Sequence, residues 1–131
     1  MNKIIKTEQE WKEILSEEEF NVTRQKGTEP AFSGKAFDIS KDGLFRCRCC
    51  GAKLFERTSK YESGCGWPSF FKGISNEAIK TDQDTSHGMV RTEIMCATCD
   101  AHLGHVFDDG PEPTGLRYCV NSLSIQYKEF E

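Results

Sequence analysis

The start of the chain carries apolar positions at helical spacing within a polar and acidic segment. Trp11, Ile14 and Leu15 share one face of a helix. Two capping boxes, in which a hydroxyl and a glutamate three residues later satisfy the free amides of a helix start, precede such positions: Thr7 with Glu10, and Ser16 with Glu19. The pattern predicts two short helices, over 7–15 and 16–24.

Beyond position 43 the apolar residues fall into short segments that are separated by glycine and aspartate turns. Six of these segments are strand candidates: 43–47, 52–56, 88–96, 101–108, 116–121 and 123–130. Long helices do not alternate with them, which disfavours a parallel α/β sheet. We expect a mainly β, antiparallel fold in one domain over 1–131, with a helical segment over 1–25, an extended loop over 24–35 and a β core over 43–131.

Charge and hydropathy narrow the class of protein. The chain has 131 residues, a net charge of −4 and a pI of about 5.4, which argues against nucleic acid or an anionic membrane surface as a partner. No apolar run approaches the ~18 residues of a membrane span. The first residues, MNKIIKTEQEWKEI, lack the apolar stretch of a signal peptide. We expect a cytoplasmic protein that acts as a monomer.

The number and spacing of the cysteines indicate metal binding or thiol chemistry. Seven is an odd number, so a complete set of internal disulfides is excluded, and a reducing compartment favours metal binding or thiol chemistry. Four of the seven form two CxxC pairs: Cys47 with Cys50, and Cys96 with Cys99. Four thiolates are the ligand set of a tetrahedral structural zinc site, which leaves no position for a substrate water. Two other uses of these cysteines stay open. One is a thioredoxin-like redox pair, which requires a strand-to-helix context, and the other is two internal disulfides.

A weak internal repeat relates the two pairs. CRCCGAKL at 47–54 aligns with CATCDAHL at 96–103, with alanine and leucine at the same distances from the cysteines. We expect two hairpin knuckles of similar shape, which the metal would join. In the first knuckle the CxxC spacing selects Cys47 and Cys50, so Cys49 is predicted to be a bystander thiol that points away from the metal.

Cys119 lies in a strand candidate, LRYCVN, where residues two apart share a face. That face would carry Arg117, Cys119 and Asn121. Tyr118 and Val120 would point the other way, towards apolar packing. A buried structural cysteine normally has apolar neighbours, whereas a nearby arginine stabilises a thiolate and lowers the pKa of the thiol. The pattern favours a reactive Cys119 over a buried one.

The face that carries Cys119 turns apolar further along the chain. Leu123, Ile125 and Tyr127 keep the same parity. Either the strand passes from a pocket into the core near Asn121, or a bulge there resets the faces. Both interpretations put Cys119 at the end of the pocket.

Cys65 lies in YESGCGWPSF, between two glycines. A thiol in such a loop is exposed and mobile, which suits a resolving thiol better than a zinc ligand. An idle thiol on a surface loop stays an alternative. The neighbouring Trp67 is either a core anchor or the wall of a pocket.

Three histidines complete the set of candidate groups: His87, His102 and His105. His102 and His105 follow the second CxxC pair and are either structural hydrogen-bond partners or acid–base groups. On a regular strand they face opposite ways, but a bulge at Gly104 would bring both to one side. His87 precedes a glycine turn and is expected to be structural.

Four segments carry a family resemblance: VTRQKGTEPAFSGK, CRCCGAKLF, YESGCGWPSF and SHGMVRTEIMCATCDAHLGHVFDDGPEPTGLRYCVNS. In this order they closely resemble the methionine-R-sulfoxide reductases, over about 22–122. The resemblance implies two antiparallel sheets with N-terminal helices. It also implies reduction of the R epimer of methionine sulfoxide, usually within proteins.

The resemblance assigns roles to individual residues. It implies that Cys119 is the catalytic cysteine, that Cys65 is the resolving one and that the four CxxC cysteines hold zinc. Four further residues match positions of the substrate pocket: Trp67, His102, His105 and Asn121. Arg117, on the face of Cys119, is expected in the pocket as well, where with Asn121 it would hold the thiolate and nearby waters.

The implied chemistry is thiol redox. Cys119 would become a sulfenic acid, Cys65 would attack it, and a thioredoxin-type partner would reduce the Cys65–Cys119 disulfide. His102 or His105 is the candidate acid that protonates the departing oxygen, and Trp67 would pack against the substrate S-methyl. The competing class is a non-catalytic, zinc-stapled β module that binds a protein partner.

Overall fold

The computed structural model of the protein describes residues 4–34, 37, 39–85 and 88–130. Two helices come first: α1 Glu8–Ile14 and α2 Glu17–Arg24. Nine strands follow within the described ranges: β1 Gly43–Cys47, β2 Lys53–Glu56, β3 Lys60–Tyr61, β4 Ser69–Phe70, β5 Ile79–Asp84, β6 Arg91–Cys96, β7 His102–Phe107, β8 Arg117–Val120 and β9 Ile125–Glu129. His87 lies outside the described residues. No helix in these ranges is long and apolar enough to cross a membrane.

Both helices begin at the predicted capping boxes. The hydroxyls of Thr7 and Ser16 accept from the amides three residues on, and the glutamates there accept in return. Trp11 and Leu15 are buried, but Ile14 is 56% exposed, so its expected place on the buried face is wrong. The helix ends at Ile14, and extended backbone at the next residue turns Leu15 into the core.

The strands form two antiparallel sheets, which confirms the expected fold class. The smaller sheet has the order β2-β1-β9 and the larger one the order β3-β4-β8-β7-β6-β5. Three strands have no counterpart among the sequence candidates: β3, β4 and β5. β3 and β4 have only two residues each, and β5 reads IKTDQD, so neither length nor apolar alternation marks them. The candidate over 88–96 begins only at Arg91.

Aromatic rings from the two sheets interlock in the core. Phe55 of β2 stacks on Phe70 of β4 with ring centroids 4.1 Å apart. Phe45 of β1 packs edge-on against Phe70 at 4.9 Å. All three side chains are fully buried, and each contributes about 1.5–3 kcal/mol by its removal from water. These contacts hold the short strand β4 in place, and β4 pairs with the strand that carries Cys119.

The bulge expected between the two strand histidines is present in β7. Ile94 of β6 pairs with Gly104. The next residue of β6, Met95, pairs with His102, which leaves Leu103 as an extra residue on β7. The register therefore shifts by one position between the two histidines.

The bulge has two consequences for the site. The His102 and His105 rings lie on one side of the sheet, with centroids 5.7 Å apart. Gly104 has a φ of +156°, and a Cβ there would lie 2.0 Å from the backbone oxygen of Cys119. Glycine is therefore required where β7 approaches β8.

The chain leaves the larger sheet directly after Cys119. β8 ends at Val120, a single 3₁₀ turn covers Ser122–Ser124, and β9 belongs to the smaller sheet. Leu123 lies within this turn, and Ile125 and Tyr127 follow it in β9, so their parity with Cys119 does not place them on its face. The faces are reset near Asn121 by a 3₁₀ turn and a change of sheet, which differs from both the continuous strand and the bulge that the sequence suggests.

Candidate active site and metal centre

Four cysteine sulfurs gather where two turns meet, one between β1 and β2 and the other between β6 and β7. Their ligand atoms all lie within 4.8 Å of one another: those of Cys47, Cys50, Cys96 and Cys99. Across the two turns, the Cys47–Cys99 and Cys50–Cys96 sulfur distances are both 3.6 Å. A zinc ion with Zn–S bonds of about 2.3 Å holds tetrahedral sulfurs about 3.8 Å apart, so this arrangement fits a four-coordinate metal ion.

The two knuckles have the same shape, as the weak repeat predicts. The amide of Cys47 donates to the carbonyl of Ala52, and the amide of Cys96 donates to that of Ala101, each at 2.9 Å. Both CxxC pairs therefore lie in strand-to-strand turns, without the strand-to-helix context of a redox pair. All seven cysteines are free thiols, so neither pair forms a disulfide.

The four sulfurs lie so close together that their thiolate forms would repel one another without a cation. Hydrogen bonding to neighbouring thiols, first to Cys49 and then to Cys50, raises the pKa of Cys47 far above its ordinary range. Four sulfurs at these distances cannot all carry negative charge unless a positive ion lies among them. The chemistry of the donor set thus fits a metal ion, which would let all four thiols ionise.

Cys49 is outside the group of four ligand atoms, which agrees with the bystander thiol that the CxxC spacing predicts. Its side chain is buried, and interactions with Cys47 first and then with Cys99 lower the pKa of Cys49. That the side chain points away from the metal stays a prediction.

A second pair of thiols lies in the larger sheet. The Cys65 and Cys119 sulfurs are 3.1 Å apart although 54 residues separate them in sequence. Pairing of Ser69 on β4 with Cys119 on β8 produces this contact, because it brings the glycine-flanked loop across the end of β8. The Cys65 sulfur also contacts the hydroxyls of Ser63 and Ser69, at 3.0 and 3.4 Å.

Arg117 binds the sulfur of Cys119 directly. Its Nη1 donates to Cys119 Sγ at 2.8 Å, so the two side chains share a face as predicted. Its Nε and Nη2 donate to the carboxylate of Asp109 at 2.8 and 3.1 Å. The guanidinium also lies over the ring of Phe107, 4.4 Å from its centroid. Sequence reasoning missed Asp109 and Phe107, whose contact with Arg117 depends on the turn between β7 and β8.

The two thiols differ in acidity. Burial opposes ionisation of Cys65, but hydrogen bonds from two serine hydroxyls and from the partner thiol outweigh it and lower the pKa of Cys65 to about 7. Burial first, and then the neighbouring Cys65, raise the pKa of Cys119 to about 12, although Arg117 lowers it. The expected effect of Arg117 is present but does not decide the net shift. The first proton of the pair therefore leaves Cys65 at about pH 7, and above this pH the pair carries a single negative charge.

Replacement of either cysteine should shift the pKa of the other thiol in a defined direction. In Cys65→Ser the pKa of Cys119 is expected to fall below about 12, because the neighbour that raises it is gone. In Cys119→Ser the pKa of Cys65 should rise above about 7, because a hydrogen bond that lowers it is lost. The pH dependence of alkylation by iodoacetamide, followed by mass spectrometry, measures both. Unchanged profiles would show that the two sulfurs do not interact.

A pocket of about 320 Å³ opens beside the two thiols, at the lower end of the range of roughly 300–1,000 Å³ for small-molecule sites. Six of the seven residues predicted for catalysis and substrate binding line it: Cys65, Trp67, His105, Arg117, Cys119 and Asn121. Gly104, Thr28, Arg91 and Phe107 complete its walls, and the sequence pattern gave no signal for the last three. The structure thus brings these six residues together from three separate segments of the chain.

His102 is the predicted site residue that does not reach this pocket. It is buried beside it and lines an adjacent cavity together with His105. Its Nδ1 lies 2.7 Å from Oε2 of the buried Glu93, and burial lowers its pKa despite this carboxylate. His105 borders both cavities, and its Nε2 lies 2.8 Å from Oδ2 of Asp84. Sequence reasoning missed both carboxylates, although a glutamate inside the apolar run of β6 was a usable signal.

A β fold that holds two thiols in contact, with an arginine on one of them and a histidine in the same pocket, has the composition of a thiol-dependent oxidoreductase. The model of the SelR domain family matches residues 15–129. The chain belongs to this family, the peptide methionine sulfoxide reductases MsrB, whose members are oxidoreductases.

Individual relatives support the assignment over the whole chain. A peptide methionine sulfoxide reductase MsrB from Acinetobacter baylyi is 63% identical over 131 residues, which cover 100% of this chain and 94% of that protein. The one from Acinetobacter baumannii is 59% identical over the same lengths. The one from Synechococcus sp. is 58% identical over 123 residues, which cover 94% of this chain and 90% of that protein.

One solved structure resembles this protein in its fold but not in its sequence. The "Yippee-like" domain of Mis18 superposes with a TM-score of 0.55 and 14% sequence identity, covering 70% of this chain and 99% of that one. At this identity the two proteins share an architecture, and the architecture by itself does not carry a function.

Proposed function

We propose that this protein reduces the R epimer of methionine sulfoxide, mainly within proteins, with Cys119 as the nucleophile. Membership of the family supports methionine sulfoxide reductase activity. The observation that carries the residue assignment is the Cys119 sulfur, in contact with both Cys65 and Arg117 at the wall of the pocket.

The first step is attack of the Cys119 thiolate on the sulfoxide sulfur. When Cys119 loses its proton, Arg117 stabilises the thiolate by a hydrogen bond to its sulfur across 2.8 Å. The attack forms a bond between the Cys119 sulfur and the substrate sulfur, and the substrate oxygen accepts a proton. The hydroxyl then passes from the substrate sulfur to the Cys119 sulfur as the bond between the two sulfurs breaks. Methionine leaves with two more electrons, which Cys119 gives up in becoming a sulfenic acid.

The second step forms a disulfide. The Cys65 thiolate attacks the sulfenic sulfur of Cys119, and the hydroxyl leaves as water after it takes up a proton. The loop that carries Cys65 already holds its sulfur in contact with that of Cys119, so closure needs little movement. A thioredoxin-type dithiol then reduces the Cys65–Cys119 disulfide by exchange, and its own two thiols are oxidised.

His105 is the acid that protonates the departing oxygen. It lines the pocket with Cys119, whereas His102 is buried behind it and burial lowers its pKa. The Nε2 atom of His105 lies 2.8 Å from the Asp84 carboxylate, which holds the orientation of the ring. The ring of His102 packs edge-on against the ring of His105, with centroids 5.7 Å apart, and so helps to hold it in place. Trp67 forms the apolar wall for the S-methyl group, and Asn121 holds waters near the thiolate.

The metal ion is structural zinc on Cys47, Cys50, Cys96 and Cys99. All four positions of a tetrahedral ion are then filled by protein, so the zinc stabilises the fold and takes no part in the reaction. We further propose that the whole chain, 1–131, is one domain that works as a monomer in the cytoplasm. Its macromolecular partners are oxidised proteins with methionine-R-sulfoxide and the thioredoxin-type reductant.

The two epimers of methionine sulfoxide test the proposal. With dithiothreitol as reductant, a peptide with the R epimer should react at least roughly 100-fold faster than the S epimer, since a wall on one side of the sulfur accepts one arrangement of oxygen and methyl. Chromatography of the methionine peptide measures both rates. Equal rates would contradict the proposed pocket, and no turnover of either epimer would leave a non-catalytic binding module as the function.

A further inference from the structure

Glu29 is a buried carboxylate outside the groups that the proposed reaction uses. Only 4% of its surface is exposed, although it lies in the loop between α2 and β1. The Ser122 hydroxyl donates to both of its oxygens, at 2.8 and 3.0 Å, and the Leu123 amide donates at 2.9 Å. Gly34 closes over it, since a Cβ there would lie 2.8 Å from the carboxylate. The loop is therefore anchored to the 3₁₀ turn that follows β8.

The backbone of the same residue contacts two walls of the pocket. The carbonyl of Glu29 accepts a hydrogen bond from Trp67 Nε1 at 2.9 Å. The amide of Glu29 donates to Asn121 Oδ1 at 3.1 Å. Trp67 and Asn121 both line the pocket with Cys119. The Asn121 Nδ2 group also donates to the carbonyl of Leu103 at 3.2 Å, so Glu29 holds the oxygen side of the carboxamide and Leu103 the nitrogen side. One residue thus contacts both the indole and the carboxamide, while its own position depends on its side chain.

From these contacts we propose that Glu29 is a positioning residue, whose carboxylate anchors its backbone to the turn after β8 and so orients Trp67 and Asn121 for the sulfoxide. The proposal rests on the proposed function, because it assigns a purpose to the orientation of the pocket walls. Charge-assisted hydrogen bonds to an ionised carboxylate are stronger than those between neutral groups. A buried polar group that loses its partners pulls away from its site, since its desolvation is no longer offset.

The decisive variant is Glu29→Gln, which keeps the shape of the side chain but replaces an acceptor oxygen by an amide that faces donors. We expect kcat/KM for the R sulfoxide to fall by roughly 10- to 100-fold, the range that a misplaced substrate contact produces. Most of the loss should appear as a higher KM, because Trp67 contacts the substrate before and during the reaction. Glu18→Gln is the matched control, since it removes the same charge from an exposed glutamate of α2.

A second measurement is independent of activity. The chain has two tryptophans, so a ¹H–¹⁵N spectrum has two indole signals, and Trp11→Phe assigns them. In Glu29→Gln the Trp67 indole proton should exchange with solvent at least roughly 10-fold faster, because its acceptor is no longer held, while that of Trp11 keeps its rate. General destabilisation would accelerate both protons. An unchanged Trp67 rate would overturn the proposal.

A double-mutant cycle with Ser122→Ala completes the test. If the Ser122–Glu29 hydrogen bond acts as one unit, the double variant should exchange the Trp67 proton no faster than Glu29→Gln alone. Additive effects would overturn the proposed anchor. The two proposals fail separately: a wild-type protein that reduces neither epimer contradicts the proposed function, whereas an active wild type with an unaffected Glu29→Gln variant contradicts only the role of Glu29.

Discussion

In Cys119→Ser, multiple-turnover reduction of the R sulfoxide is expected to disappear, with kcat lower by roughly 10⁴-fold or more. A hydroxyl is far less acidic than a thiol, so Arg117 can no longer stabilise an anion at this position. A serine oxygen also cannot take the place of sulfur as the atom that is oxidised. Chromatography of the released methionine peptide, with dithiothreitol in excess, measures the loss.

Cys65→Ser should separate the two chemical steps. The Cys119 thiolate still attacks the sulfoxide, but no thiol lies 3.1 Å away to close the disulfide. A single turnover without reductant is therefore expected to release about one methionine per enzyme and to leave a sulfenic acid, which dimedone traps and mass spectrometry locates. Cys49→Ser is the matched control, because it removes a thiol that does not line the pocket, and it should turn over normally with reductant.

Two results would contradict this assignment. Multiple turnover by Cys119→Ser would show that another thiol is the nucleophile. Absence of any methionine release by Cys65→Ser would show that Cys65 takes part in the first step, for example as the acceptor of the Cys119 proton. The dimedone adduct must lie on Cys119, since an adduct elsewhere assigns the sulfenic acid to a different sulfur.

The second large effect is expected at the metal centre. In Cys96→Ser the protein should lose its bound zinc and its cooperative unfolding transition. Binding of structural zinc by four thiolates contributes about 10 kcal/mol or more in small domains, which is comparable to the whole free energy of unfolding of about 5–15 kcal/mol. In the variant three cysteine sulfurs remain where the two knuckles meet, and no ion holds the knuckles together. Atomic emission spectroscopy and thermal unfolding measure the two losses.

Cys49→Ser is again the matched control. Its sulfur lies beside the cluster and outside the group of four ligand atoms, so one zinc per chain should remain and the melting temperature should change by only a few degrees. Equal loss of zinc from both variants would show that Cys49 is a ligand and that the register of the first knuckle is wrong. Retention of zinc by Cys96→Ser would remove Cys96 from the ligand set.

The fold class and the ligand group follow from short-range sequence signals. The capping boxes at Thr7 and Ser16 form as predicted because each involves residues three positions apart. The CxxC pairs form two matching knuckles because each turn is closed by its own strands. The contact between Arg117 and Cys119 follows from the period of a single strand. Each of these features depends on interactions within a few residues.

Features that depend on distant contacts gave weaker signals or none. β3 and β4 have two residues each, and the packing of Phe70 against the rings of Phe45 and Phe55 supports the pairing of β4 with β8. The burial of Cys49 was not visible in the CxxC spacing, since it depends on how the first knuckle packs into the core. The net rise in the pKa of Cys119 depends on burial and on Cys65, which outweigh the arginine that the sequence places beside it.

The sequence by itself determined the helix starts, the antiparallel β class, the four thiols of the candidate metal site and the face that carries Cys119. Only the tertiary structure decided that Cys65 contacts Cys119 across 54 residues, that His105 and not His102 lines the pocket, and that buried Glu29 contacts Trp67 and Asn121. The physical reason is the range of the interactions. Local hydrogen bonds and strand periodicity are fixed by neighbours in the chain, whereas burial and contact between side chains exist only after distant segments have packed.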